Sequence, residues 1–212
     1  VTYVQGNSEP FRFTDEQTGL ELDTDAIRAR MEAAILSLSS GTEALQPKEI
    51  SPNVYRAELE NATVLRARVV MPLSGSAAAQ ENAALAAAQF QNVRLEAGER
   101  LSFNQTVGLR TDESGYVQAE EPAYGQDISG IGGGVCQVCS TIYNIVLRVP
   151  AVIEDMNWHS QGGVSYLPAG FDATVSDTKD MVFRNVLPYD VRIEFESLDG
   201  VMTAFLFRDY DE

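Results

Sequence analysis

Residues 130–150 read GIGGGVCQVCSTIYNIVLRVP, and this stretch decides much of the fold. Apolar side chains recur in it at intervals of three and four residues, which is the pattern of a helix with one buried face. A proline, Pro150, ends the pattern, and three consecutive glycines precede it. The sequence therefore predicts a helix from Val135 to Val149 whose first turn carries Cys136. The apolar positions are Val135, Val138, Cys139, Ile142, Ile145, Val146 and Val149.

The segments on either side of this helix predict an α+β fold. Residues 62–72 are rich in β-forming residues, and the alanine-rich residues 77–91 predict a second helix. Near the end of the chain, Val191–Glu196 and Val201–Phe207 flank the turn signal Leu198-Asp199-Gly200, which predicts a β-hairpin. We therefore expect a domain over residues 62–212 in which the cysteine-bearing helix packs on a mostly antiparallel sheet.

Residues 1–61 predict a separate, small α+β module. Thr24 is a candidate cap for a helix from Asp25 to about Leu38, with apolar residues on one face. The alternating residues Asn53–Leu59 predict a strand. A shift in composition near the prolines around residue 50 marks the boundary.

Charge and composition exclude some classes of protein. The formal net charge of −16 repels nucleic acid and anionic lipid, so we expect no nucleic-acid partner. No apolar run approaches the roughly 20 residues of a membrane span. The chain begins at Val1 instead of Met, and we expect it to be a fragment of a longer protein.

The glycine run before the helix has two interpretations, phosphate binding and nucleophilic catalysis. Phosphate loops need Gly-Lys-Ser/Thr or G-x-G-x-x-G, and neither is present. Residues 111–147 also contain no Lys or Arg. A thiol at the helix start, by contrast, gains from the helix dipole, and the N–H groups from Gly134 to Gln137 are candidate oxyanion donors. The alternative is that Cys136 is only a small buried side chain.

Cys139 lies on the apolar stripe, which predicts core packing. This placement disfavours a redox role for the C-x-x-C spacing, which also lacks the βαβ pattern of thioredoxin-like proteins. A zinc site needs four ligands, and two cysteines, one histidine and a carboxylate are the most that the chain offers. We expect neither a metal nor another cofactor.

His159 is the only histidine, so any Cys–His mechanism must use it as the base. A lone histidine is otherwise an ordinary surface or core residue. The group that orients its ring has several candidates: Asp172, Asp155, Asn157 and backbone carbonyls. Of these we select Asp172.

Several blocks together resemble the VanW family. They are ERLSFNQTVGLRTDESGY (99–116), GIGGGVCQVCSTIYN (130–144), NWHS (157–160), SYLPAGFDATVSD (165–177) and DMVFRN (180–185), in the family's order. Residues 10–23, PFRFTDEQTGLELD, and the helix after them resemble the peptidoglycan-binding module that often precedes a VanW domain.

The resemblance implies a cell-surface protein that acts on peptidoglycan stem peptides and is anchored in the membrane through a segment outside this fragment. Some family members are linked to L,D-transpeptidase activity through a cysteine acyl-enzyme, which implies Cys136 as nucleophile and His159 as base. The competing interpretation is a non-catalytic cell-wall-binding module. The residues that we expect at the substrate or the oxyanion are Gly133, Gly134, Gln137, Arg110, Ser140 and Tyr166; Arg110 suits a substrate carboxylate.

Overall fold

The computed structural model describes residues 2–3, 11–42, 47–62, 64–123, 126–159 and 163–208. The chain divides into two compact units, and the division falls between Asn61 and Ala62. Every strand pairing in the described residues is antiparallel. The α+β class predicted from the sequence is confirmed.

Within the described residues, the first unit contains two antiparallel strand pairs and two helices. Strand β1 (Thr2–Tyr3) pairs with β2 (Phe11–Arg12), and β3 (Gly19–Leu22) pairs with β4 (Pro47–Ile50). Helix α1 spans Thr24–Leu36, and its cap is Asp23, whose carboxylate accepts from the Ala26 N–H at 2.9 Å. The predicted cap Thr24 is thus the first helical residue.

One prediction for the first unit is wrong. The predicted strand Asn53–Leu59 instead contains the start of helix α2 (Arg56–Ala62), because the Glu58 carboxylate caps the Tyr55 N–H and Arg56 pairs with Glu60 one turn later. The predicted helix α1 is present, and none of its residues is buried.

The second unit is built on a four-stranded sheet in the order β5-β13-β12-β6. These strands span Val64–Pro72 (β5), Val93–Leu95 (β6), Val191–Leu198 (β12) and Val201–Arg208 (β13). The turn between β12 and β13 has positive φ at Asp199 (50°) and Gly200 (74°), as a tight hairpin requires. The predicted terminal hairpin is confirmed.

A second sheet and a hairpin complete the strands of this unit. The sheet has the order β10-β11-β7, with β7 at Arg100–Ser102, β10 at Ala151–Asp155 and β11 at Val182–Asn185. The hairpin joins β8 (Gln118–Ala123) to β9 (Gln126–Ile131). Because β9 ends at Ile131, the hairpin leads directly into the glycine run.

Helix α5 (Val135–Val146) lies at the centre of the second unit and packs on β5, β13 and helix α3 (Ala77–Ala88). A short helix α4 (Phe103–Val107) and a single 3₁₀ turn (Asp112–Ser114) follow β7. The apolar stripe of α5 is buried as predicted from Val135 to Val146, and Cys139 in it is 0% exposed. The helix ends three residues before the predicted Val149, which is only partly buried. Phe90 packs against Phe103 and Phe195, with ring centroids 5.4 and 5.7 Å apart. Each such buried ring contributes about 1.5–3 kcal/mol.

Candidate active site

The glycine run is a tight turn pressed between α3 and β8. A Cβ on Gly134 would lie 2.2 Å from the carbonyl oxygen of Ala79, and one on Gly133 would lie 2.6 Å from that of Ala119. Gly134 also has φ = 103°, which favours glycine. These two positions therefore require glycine for steric reasons, and they fix where α5 begins.

Two buried amides fasten this turn from either side. The Asn82 amide donates to the carbonyls of Val117 and Gly133, each at 2.9 Å, and its oxygen accepts from the Val117 N–H. The Gln137 amide exchanges hydrogen bonds with the backbone of Ser74. Gln137 thus binds the start of α5 to the segment at Ser74. Asn82 was missed by the sequence analysis, although an asparagine inside an alanine-rich helix was a usable signal.

The N–H groups at the start of α5 differ in whether a backbone carbonyl accepts from them. The N–H of Val135 donates to Gly132 at 3.2 Å and that of Gln137 to Gly134 at 3.1 Å. No backbone hydrogen bond within the described residues uses the N–H of Gly134 or Cys136. These two groups, and not the occupied N–H of Gln137, are the candidate oxyanion donors.

One face of α5 is docked along the segment 171–175. The Asn144 amide donates to the Phe171 carbonyl at 2.7 Å. One turn earlier, the Ser140 hydroxyl bonds both the N–H and the carbonyl of Ala173. Ser140 is fully buried, so the structure places it as a fastener of this segment. The docking on both sides of Asp172 fixes the position of this residue beside α5.

Asp172 lies against His159. The Asp172 Oδ2 atom is 2.8 Å from His159 Nδ1 and also accepts from the His159 backbone N–H at 3.0 Å. Their side chains are only 5% and 11% exposed. With Nδ1 turned to the carboxylate, the other ring nitrogen is left for a different partner, and the imidazole lies near enough to the Cys136 thiol for the thiol to affect the pKa of His159. The structure therefore brings Cys136, His159 and Asp172 together.

The charges in this group stabilise one another. Burial alone lowers the pKa of His159, but hydrogen bonding and charge attraction from Cys136, and then from Asp172, outweigh burial and raise that pKa above its ordinary value. Burial likewise raises the pKa of Asp172, but the hydrogen bonds from His159 outweigh it and the pKa falls below its usual range. Both shifts widen the pH range over which an imidazolium faces a carboxylate in this pair.

Cys136 has two further neighbours that the sequence analysis missed. Its Sγ atom lies 3.5 Å from the Thr174 hydroxyl and 3.6 Å from the Val175 carbonyl oxygen. Thr174 is held by the hydrogen bond of its N–H to the Asn157 carbonyl at 2.8 Å. Cys136 is partly exposed, whereas Cys139 is buried, and burial raises the pKa of the Cys139 thiol well above its usual range.

Tyr166 and Arg110 border the site. Burial first of all raises the pKa of Tyr166, so the phenol stays neutral, and the phenol lies near enough to Cys136 and Ser140 for both to affect that pKa. Arg110 packs its stem against Gly132 at the start of the glycine turn, where an added Cβ would lie 3.1 Å from the Arg110 Cβ. Ser160, from the NWHS block, lies outside the described residues.

The described residues contain neither a metal-binding cluster nor a membrane-spanning helix. No three His, Cys, Asp or Glu side chains there are arranged to hold a metal ion. In the same part of the chain, no helix has the length and apolar character needed to cross a membrane.

The part of the chain that matches known proteins includes the residues of the site. The family model described as "VanW like protein" matches residues 78–207, which is more than half of the chain and includes Cys136, His159 and Asp172. The chain belongs to the VanW family. Membership of the VanW family suggests a cell-wall-related protein.

A curated relative of this VanW protein comes from Bacillus subtilis (strain 168). It is named "Uncharacterized protein YoaR" and is 36% identical over 135 residues, which cover 63% of this chain and 44% of the relative. The chain thus spans less than half the length of that relative. No solved structure matches the chain.

The two cysteines predict a simple chemical contrast. Iodoacetamide at neutral pH should label Cys136 in the native protein and leave Cys139 unlabelled, because Cys139 is 0% exposed and its raised pKa keeps the thiol protonated. Peptide mass mapping measures the two sites separately, and the urea-denatured protein, in which both should react, is the control. Faster labelling of Cys139 than of Cys136 in the native protein would contradict the placement of the reactive thiol.

Proposed function

We propose that this VanW protein is a cysteine-dependent L,D-transpeptidase that acts on peptidoglycan stem peptides. The observation that carries the proposal is the arrangement of Cys136 at the start of α5, facing a histidine whose ring is held by Asp172 at 2.8 Å. Nucleophile, base and orienting carboxylate are the three parts of a thiol acyl-transfer site. The free N–H groups of Gly134 and Cys136 add a place for a developing oxyanion.

The first half-reaction forms a thioester. The Cys136 thiolate attacks the carbonyl carbon that precedes the terminal D-alanine of a stem tetrapeptide, and the carbonyl oxygen becomes an oxyanion beside the N–H groups of Gly134 and Cys136. The C–N bond then breaks, and the departing amine of D-alanine takes a proton from the His159 imidazolium. The products are free D-alanine and an acyl group bound to sulfur.

The second half-reaction transfers that acyl group. The amine of a second stem peptide attacks the thioester carbonyl and loses its proton to His159, which the first step left neutral. The C–S bond breaks, the thiolate returns to Cys136, and a new amide bond joins the two stem peptides. One amide is broken and one is formed, so the cycle needs no oxidant, reductant or metal.

The roles of the remaining residues follow from their contacts. Asp172 orients the His159 ring and stabilises its charge, while Thr174 lies near enough to the sulfur to hydrogen-bond a thiolate. Tyr166, as a neutral phenol near the site, is a candidate donor to the bound peptide. Ser140 acts indirectly, through its hold on Ala173.

The proposed substrate also implies where in the cell the protein acts. Peptidoglycan lies outside the cytoplasm, so we place this domain at the cell surface, anchored through a part of the protein beyond this chain. The first unit, residues 1–61, is proposed to bind peptidoglycan and so to hold the catalytic unit near its substrate.

Incubation with purified muropeptides, followed by mass spectrometry of the products, tests the proposed function. A transpeptidase yields dimers, with one D-alanine released for each cross-link. Conversion to tripeptide without dimers indicates hydrolysis of the same thioester. If the muropeptides bind but come back unchanged from wild-type protein, the domain is a non-catalytic cell-wall-binding module.

A further inference from the structure

Arg110 is a nearly buried cation at the edge of the candidate site. Its side chain is 12% exposed, and its stem lies against Gly132, two residues before the N-cap of α5. Its charge also reaches the thiol of Cys139 inside the helix. Burying a guanidinium costs free energy unless an anion or several hydrogen-bond acceptors contact it.

Within the described residues, the positive charge of Arg110 is only weakly compensated by acceptors and anions. One of its five N–H donors bonds the Asn104 side-chain oxygen at 2.9 Å. The nearby carboxylate of Asp177 is 3.7 Å from Nη2 and 98% exposed, so water and salt screen that pair. The guanidinium therefore retains the capacity to hold a carboxylate with two parallel hydrogen bonds.

Asn104 holds the guanidinium in place. Its own amide donates to the carbonyls of Ser176 and Lys179, and its backbone N–H donates to Asp180 at 2.9 Å. These bonds fix the Asn104 side chain with its oxygen toward Arg110. Because the guanidinium is aimed before a ligand arrives, little ordering entropy opposes the binding of an anion.

Arg110 and the nucleophile contact the same segment of chain. Cys136 Sγ contacts the carbonyl of Val175, and Arg110 approaches the side chain of Asp177, two residues further on. The stem of Arg110 also contacts Gly132, two residues before the N-cap of α5. A carboxylate that lies near the reacting carbonyl of a bound peptide is therefore the anion that Arg110 is placed to hold.

We propose that Arg110 is a receptor for the terminal carboxylate of the donor peptide. The inference rests on the proposed function, because it takes Cys136 as the reacting group. It makes the ligand class specific: a peptide with a free C-terminal carboxylate. Donors whose carboxylate is blocked bind poorly.

Binding to the full chain carrying Cys136→Ala tests this without requiring turnover. The probes are a stem tetrapeptide ending in D-alanine and the same peptide as its C-terminal amide, compared by isothermal titration calorimetry. We expect the acid to bind about 10- to 100-fold more tightly than the amide, in line with a charge-assisted pair in a largely buried setting. Adding Arg110→Gln should reduce that ratio to near one, and Arg110→Lys should restore part of it. Adding Asp177→Asn, a matched change at an exposed neighbour, should leave the preference intact.

Two results would contradict the proposed role of Arg110. One is equal affinity for acid and amide in Cys136→Ala. The other is an Arg110→Gln change that weakens both peptides equally, since that would give Arg110 a structural role. A different result would contradict the proposed transpeptidase function. In that case the wild-type protein forms no acyl-enzyme with either peptide, whichever peptide binds more tightly in calorimetry.

Discussion

Replacing His159 with alanine is expected to slow acylation of Cys136 by about 10²- to 10⁴-fold while leaving the fold intact. The ring supplies the proton that the leaving amine needs and holds the charge opposite the thiolate. Its side chain lies beside the site, not in the main hydrophobic core cluster, so loss of the ring leaves that core unchanged. Stopped-flow measurement of D-alanine release from a stem tetrapeptide gives the rate, and circular dichroism checks the fold.

The pH dependence separates a catalytic base from a structural residue. Because the pKa of His159 is raised by Cys136 and Asp172, the imidazolium persists to a higher pH than in a free histidine. Iodoacetamide should therefore react with wild-type Cys136 far faster than with the His159→Ala variant at pH 6. The gap should narrow as the pH rises toward the ordinary thiol range near 8.5. Asp172→Asn should give an intermediate profile, and identical profiles for all three proteins would exclude the dyad.

Replacing Gly134 with alanine is expected to destabilise the second unit by about 2–6 kcal/mol. The added Cβ would lie 2.2 Å from the Ala79 carbonyl oxygen, and φ at this position is 103°. Left-handed backbone costs a non-glycine residue about 1–3 kcal/mol, and overpacking costs about as much again. This is a large share of the 5–15 kcal/mol by which folded proteins are typically stable.

Gly98 provides the matched control for that substitution. It has φ = 85°, but nothing lies within 4 Å of an added Cβ. Gly98→Ala therefore keeps the backbone strain and removes the steric clash. The shift in the urea midpoint should be at least twice as large for Gly134→Ala as for Gly98→Ala, and equal shifts would show that the turn is not pressed against α3.

The parts of this fold that the sequence predicted are those with a strong local signal. Helix α5 combines periodic apolar residues with a glycine run before it and a proline after it. The hairpin of β12 and β13 has a turn whose residues suit positive φ. The segment from Asn53 to Leu59 was misjudged, because its alternation is short and the ion pair of Arg56 with Glu60 stabilises a helix instead.

The site itself was less accessible to sequence reasoning, because its contacts join distant positions. Cys136 and Thr174 are 38 residues apart, and Asn104 reaches Lys179 across 75. Such neighbours depend on how α5 docks along residues 171–175, which no local pattern encodes. Asp172 was selected from four kinds of candidate, and only the three-dimensional structure places its carboxylate 2.8 Å from His159.

Intact-protein mass spectrometry of an acylated intermediate tests the central claim most directly. Wild-type protein mixed with a stem tetrapeptide and quenched in acid, without an acceptor amine, should gain the mass of the tetrapeptide less D-alanine. Peptide mapping should place that mass on Cys136, and Cys136→Ala should show none. An adduct at Cys139 or elsewhere, or D-alanine release that survives in Cys136→Ala, would contradict the account.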